Sequence, residues 1–268
     1  MKVPFELEWM GGAAERGFRR ARPFVDDLPW DALDPRAFPV ALVEAARVSF
    51  TEGAMGEYTT AAYFAALLRA LLEARAPIDL IGMAGVFVSD EMLHVELNAR
   101  LAMALGGAAP LLVDFEELIA DASDTDPILR ASALAVRVSC VGESLSVPLL
   151  AASASVATNP LVRAVLSRLA RDEAAHARLG WLWLEHISPE LGDDAKQMLA
   201  RVALAEIEDQ RDNWRNLTSR VRDGVTSEGF RVEDVHALGW VDSEAYAVRA
   251  EQAVRDVIAR LARYDVIL

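Results

Sequence analysis

The chain has one cysteine, Cys140, and four histidines among 268 residues. A single thiol excludes an intrachain disulfide framework and suits a reduced, cytoplasmic setting. Positive charge is scarce as well: 27 Lys and Arg stand against 41 Asp and Glu, a net charge of −14. No basic stripe rises above that background, which argues against nucleic acid as a partner. Long apolar runs are missing too. The nearest, around residues 134–156, is broken by Arg137, Glu143 and Pro148, so it reads as a buried helix of a bundle rather than a membrane span. Glu6, Glu8 and Trp9 stand where a signal peptide would carry its apolar core, and no membrane partner is expected.

What is present favours helix. Hydrophobic residues make up 53% of the chain, enough for a buried core, and Ala, Leu, Arg, Glu and Val dominate it. Glycine and proline sit mostly at segment boundaries. The expectation is an all-α protein.

Within this helical background one pattern occurs twice. Asp90-Glu91-Met92-Leu93-His94 is matched by Asp172-Glu173-Ala174-Ala175-His176, and each copy continues to a leucine, Leu97 and Leu179. Upstream of each lies a second matched element: Gly56-Glu57 before Ala65-Ala66, and Gly142-Glu143 before Ala151-Ala152. On a helix, residues three apart share a face, so each Glu-x-x-His presents a carboxylate and an imidazole to one point. Those are ligands for a first-row divalent metal. Pro77 and Asn159-Pro160 mark the turn in each half, and each Glu of a hairpin falls about 20 to 25 Å from its turn at about 1.5 Å per residue. Two hairpins face to face would bring Glu57, Glu91, His94, Glu143, Glu173 and His176 together. Glu52 is the competitor for Glu57, but the two point about 140° apart on a helix and the repeat selects Glu57.

This duplicated arrangement resembles the ferritin-like di-metal carboxylate superfamily, over roughly residues 40–187. In that family one Glu from each of two helices joins a Glu-x-x-His from each of two others. The resemblance implies a four-helix bundle with a long crossover between helices 2 and 3. It also implies a metal site built from the six residues above. The oxygen-activating branch further implies that Asp90 and Asp172 each accept a hydrogen bond from a ligand imidazole of the facing helix.

The chain then divides into an irregular N-terminal arm (1–39), the core (40–187), and C-terminal helices packed on the core (188–268). Helix one is expected from Val40 to Arg75 and helix two from Pro77 to about Leu105, closed by Gly106-Gly107. A short amphipathic piece from Leu111 to Ile119 and an acidic turn over residues 121–126 would form the crossover. Helix three follows Pro127 to about Ala157, with a kink expected at Pro148. Helix four spans Pro160 to about His186. A fifth helix restarts at Ser188 and reads to about Val221, residues 223–241 read as a loop, and Asp242 caps a last helix to about Arg263. Arg16, Arg19, Arg20 and Arg22 read as a solvated face.

Side chains one turn from the ligands are mostly apolar. Ala61, Phe64, Phe87, Val88, Cys140, Val147, Leu150 and Ala177 are expected to line a dry substrate cavity, with packing the better role for Cys140. Tyr58 and Tyr63 read as packing, and His186 and His236 lie off the ligand face. Glu206, Glu208 and Asp209 read as a solvated acidic run, though relatives sometimes take a seventh ligand from such a place. The resemblance implies a cofactor of two iron ions, manganese being the alternative, and O2 as co-substrate. The implied activity is that of an oxidase or monooxygenase acting on a small organic molecule, with an external electron donor and a homodimer as possible partners. The rival readings are a ferroxidase or iron store, and a manganese or peroxide-handling protein.

Overall fold

The protein is described by a computed structural model covering residues 1–20, 22–118, 126–215 and 219–268. It is mostly helical, with two small two-stranded sheets among the described residues. Nine α-helices are described: α1 Gly12–Arg20, α2 Val40–Glu73, α3 Ile78–Ala104, α4 Pro127–Leu134, α5 Ser144–Val156, α6 Pro160–Ile187, α7 Asp193–Arg215, α8 Val232–Ala237 and α9 Ser243–Leu261. A π-helical segment, Ala135–Glu143, joins α4 to α5 without a break.

The helix ends follow from local chemistry. Ala76 N–H bonds to Leu71 C=O across Arg75, which takes a left-handed φ of 55°; α2 thus ends in a Schellman turn that leads straight to Pro77 and α3. At the far end of α3, Gly106 and Gly107 have φ of 112° and 117° and return their N–H groups to Met103 and Ala102, a conformation glycine adopts at little cost. Asn159 caps α6 by accepting from Leu161 N and Val162 N, with Pro160 at the first helical position, and Asp242 caps α9 in the same way.

The short α2–α3 turn makes these helices an antiparallel pair, and α6 packs likewise along α5 and the π segment. Buried side chains form three clusters. One lies under the N-terminal arm around Leu42, Phe50, Leu97 and Leu161, one around Phe64, Leu67, Phe87 and Trp183, and one where α7 and α9 cover the π segment and α5 around Leu145, Leu199 and Val254. The helical run Pro127–Val156 is long and apolar enough to cross a bilayer, but half of its most apolar window is buried within the protein.

Several expectations are corrected. The arm contains α1 and is not wholly irregular. Its arginines are not all solvated: Arg16 and Arg20 are exposed, but Arg19 pairs with buried Glu96 and Arg22 is buried, donating to Ser89 O at 2.6 Å. Within the amphipathic piece, Leu112–Val113 pairs with Val3–Pro4 and is followed by a 3-10 turn, Phe115–Glu117. Ile119 and most of the acidic turn lie outside the described residues. The irregularity attributed to Pro148 appears ahead of it, as the nine-residue π stretch, while Pro148 itself lies inside α5. The fifth helix is described as far as Arg215 and does not include Val221, which belongs to a hairpin whose turn is Asp223-Gly224, at φ of 53° and 75°. Two left-handed residues in a two-residue loop match the twist of the strands. The supposed loop 223–241 holds α8, and His236 lies on it.

Candidate metal centre

Four helical segments send side chains to one point. Glu57 comes from α2, Glu91 and His94 from α3, Glu143 from the last residue of the π segment, and Glu173 and His176 from α6. They close into two overlapping groups, Glu57/Glu91/His94/Glu173 and Glu91/Glu143/Glu173/His176, whose ligand atoms lie within 4.8 Å of one another. Glu91 and Glu173 belong to both groups. Glu52 is exposed and takes no part.

The site is buried: Glu91, His94 and His176 are 0% exposed, Glu173 1% and Glu143 5%. His94 Nδ1 lies 2.9 Å from Glu173 and 3.4 Å from Glu91, and His176 Nδ1 lies 2.7 Å from both Glu91 and Glu173. None of these approaches has hydrogen-bond geometry. Both oxygens of Glu91, Nδ1 of each histidine, Oε1 of Glu143 and Oε2 of Glu173 have no hydrogen-bond partner. Buried polar atoms left unpaired are costly, and here they converge. Carboxylate oxygens and imidazole nitrogens pointing at common centres are what first-row divalent ions take. The cluster could therefore hold metal and is compatible with a two-metal site.

The outer edge of each imidazole meets the other hairpin. His94 Nε2 is 3.3 Å from Asp172 Oδ2, and His176 Nε2 is 3.6 Å from Asp90 Oδ2. The pairing is reciprocal: α3 offers His94 and Asp90, and α6 answers with Asp172 and His176. The Asp172 carboxylate on His94 Nε2 fixes the proton there and leaves its Nδ1 lone pair for the centre, whereas Asp90 lies beyond hydrogen-bond distance of His176 Nε2.

Electrostatics point the same way. Burial, and then the charges of Glu173 and Glu91, push the carboxyls of Glu57 and Glu143 well above the usual range. For His176 burial favours the neutral ring, yet Asp90, Glu173 and Glu91 together push it up to about 11. Burial likewise opposes ionisation of Glu173, but His176 and His94 hold it low. Without an ion, Glu57 and Glu143 are driven to keep their protons; two divalent ions would offset the charge of all four carboxylates.

The eight residues expected to line a substrate cavity are dispersed. Phe64 and Phe87 pack on His176, with ring centroids 5.3 and 4.3 Å away, and belong to the apolar cluster beside it. Val88 is packed against that cluster. Cys140 is buried under α7 and α9, where burial pushes its thiol up and leaves it inert. Ala61 and Ala177 are buried and Val147 is half-buried. Leu150 alone of the eight lines the cavity of about 630 Å³ that reaches Glu57 and Glu143. That cavity lies between α2, the π segment, α5 and α7, and much of its wall is polar: Thr60, Tyr63, Arg137, Glu206, Asp209 and Gln210.

Glu206 corrects the solvated-run reading. It is 8% exposed and accepts from Arg137 Nε at 2.9 Å. The spacing Leu199, Ala203, Glu206, Ile207 puts it on the buried stripe of α7, a signal readable in the sequence. Arg137 itself, a lone charge in an apolar helix, was the other such signal. Tyr63 lies under its guanidinium, 4.9 Å from the ring centroid, whereas Tyr58 packs against Phe5 and Phe115. His186 is exposed beside Trp183.

The backbone at His176 is held from the π segment. Ser139 Oγ donates to His176 C=O at 2.5 Å and accepts from Gly180 N–H at 2.7 Å, so it bridges the two backbone groups that an α-helix would pair directly. Gly180 permits that approach: a Cβ there would lie 2.7 Å from Ala135 O and from Cys140 Sγ. π-helical turns recur at functional sites, and this one ends on Glu143 of the converging cluster.

Comparison with protein-family models, curated proteins and solved structures found no match to this chain.

Proposed function

We propose that the protein is a non-haem di-iron oxidase or monooxygenase on a ferritin-like four-helix core, with O2 as co-substrate and a small organic molecule as the compound oxidised. The observation that carries this reading is the convergence of unpaired buried ligand atoms in two overlapping groups that share Glu91 and Glu173. When bound, the two ions would supply affinity for O2 and the electrons to reduce it. The protein's share is positional. Asp172 and Asp90 orient the imidazoles, Phe64 and Phe87 keep water from His176, and the cavity beside Glu57 and Glu143 admits substrate from the α7 side.

A second reading, in which iron is itself the substrate of a ferroxidase or store, draws support from Asp209 and Glu206 on the cavity wall. Against it stands Arg137 on the same wall, a fixed cation in the path a hydrated metal ion would take. The deciding experiment is O2 uptake by the anaerobic Fe(II) protein. Uptake should stop once the protein's own irons are oxidised, and Fe(II) beyond two per chain should stay in solution. Sustained oxidation of many irons per chain would make storage the correct reading.

A further inference from the structure

We infer that Arg137 is the anchor for a carboxylate on the substrate: a small organic monoanion binds in the cavity between α2, the π segment and α7, with its carboxylate on the guanidinium and its body toward Glu57 and Glu143. The oxidation of that compound rests on the di-iron reading above; the binding does not.

Three observations carry this. Arg137 is set in place from two sides, by Glu206 on its Nε at 2.9 Å and by the Tyr63 ring beneath it at 4.9 Å. Its hydrogen bonding among the described residues ends at Nε, so the paired Nη donors remain available, and the side chain is 40% exposed on the cavity wall. A guanidinium held rigidly with free terminal donors is the group that grips a carboxylate through two parallel hydrogen bonds. Finally, Glu57 and Glu143 line the same cavity of about 630 Å³, a volume that takes a small molecule. A compound held by one end at Arg137 would have its other end near those two groups.

The surroundings restrict the charge of the ligand. Asp209 and Glu206 stand on the same wall as Arg137, so a single cation must offset the approach of an anion to carboxylates. A monocarboxylate is repelled less by these acids than a dianionic phosphate, so directed hydrogen bonds from the Nη donors can hold the monoanion and not the dianion.

The test is equilibrium binding by calorimetry to the anaerobic Fe(II)-loaded protein, using benzoate, benzamide and phenyl phosphate as probes. Benzoate should bind about tenfold or more tightly than benzamide, the range for hydrogen bonds to a charged group, and more tightly than phenyl phosphate. Arg137→Gln should erase the preference for benzoate over benzamide, and Arg137→Lys, which keeps the charge but not the fork, should give an intermediate value. The inference is overturned if benzoate affinity in Arg137→Gln stays within about twofold of wild type, which would place the carboxylate on the metal ions. It is also overturned if wild type does not distinguish benzoate from benzamide. Should Arg137→Gln not fold, an Arg137→Lys protein that binds benzoate as wild type does would overturn it as well. Metal content and the same titrations on metal-free protein separate the two claims. Discrimination through Arg137 without bound metal would uphold this inference and sink the di-iron reading, and two bound metals without discrimination would do the reverse.

Discussion

His94 and Asp172 meet across two facing helices, Nε2 to Oδ2, at 3.3 Å, and Asp172 is itself gripped by Arg168 at 2.5 Å. The chain is thus imidazole, carboxylate, guanidinium, and it runs from the buried cluster toward the surface. The matching pair, His176 and Asp90, is looser at 3.6 Å.

Asp172→Asn should therefore leave the helical content unchanged and weaken metal binding by about 10- to 100-fold, the usual effect of losing such a partner. Asp90→Asn should have the smaller effect of the two, because its contact is longer. Competition with a calibrated chelator measures both. Equal, wild-type affinities would show that these aspartates do not orient the imidazoles.

The pH dependence of stability should reverse on metal loading. Glu57, Glu143, His94 and His176 all have folded pKa values above their ordinary ones. Such groups stabilise fully below their unfolded pKa, about 4.3 for Glu and about 6.5 for His, and that contribution is lost as pH rises through the folded value. Glu173, shifted down, works in the opposite sense, and its contribution is lost only in acid. Metal-free protein should thus lose stability as pH rises above about 4.3, and further above about 6.5, until His176 titrates at about 11. Metal binding has the opposite trend, since its ligands must shed protons. Urea midpoints with chelator and with metal should diverge as pH rises; convergence would contradict the charge balance described here.

Gly180→Ala would force a methyl group to within 2.7 Å of Ala135 O and Cys140 Sγ and within 2.9 Å of Ser139 Cβ. Backbone and buried atoms cannot give that much, so the substitution should cost about 1 to 3 kcal/mol. It should also loosen the Ser139 bridge at His176. The urea midpoint should fall with an unchanged m-value. An unchanged midpoint would mean that α6 and the π segment can part freely.

The six converging positions are legible in the sequence because a duplicated Glu and Glu-x-x-His is rare and helix geometry turns spacing directly into direction. The helix ends at Arg75, Gly106 and Asn159 are legible for the same reason, since caps are local chemistry. Long-range docking is not. Nothing near Arg22 or Glu96 in the sequence foretells that the arm buries them against α3, and although spacing sets Glu206 apart from Glu208, its partner Arg137 is fixed only once α7 lies on the π segment. The cavity shows the limit most clearly. Proximity along a helix correctly placed Phe64 and Phe87 beside a ligand, but which side of the site opens is decided by α7, a helix whose partner the ligand spacing does not specify. The hairpin at Asp223-Gly224 is a different case: the turn falls in the stretch that reads as a loop, but its two-residue strands are too short to show a period.

The most direct test is metal stoichiometry by elemental analysis of protein expressed with excess iron. Wild type should hold two transition-metal ions per chain, Glu57→Gln should hold fewer, and Glu52→Ala, altering an exposed acid one face away, should match wild type. Folded wild-type protein with a metal content near zero, or Glu57→Gln retaining both ions, would contradict the account.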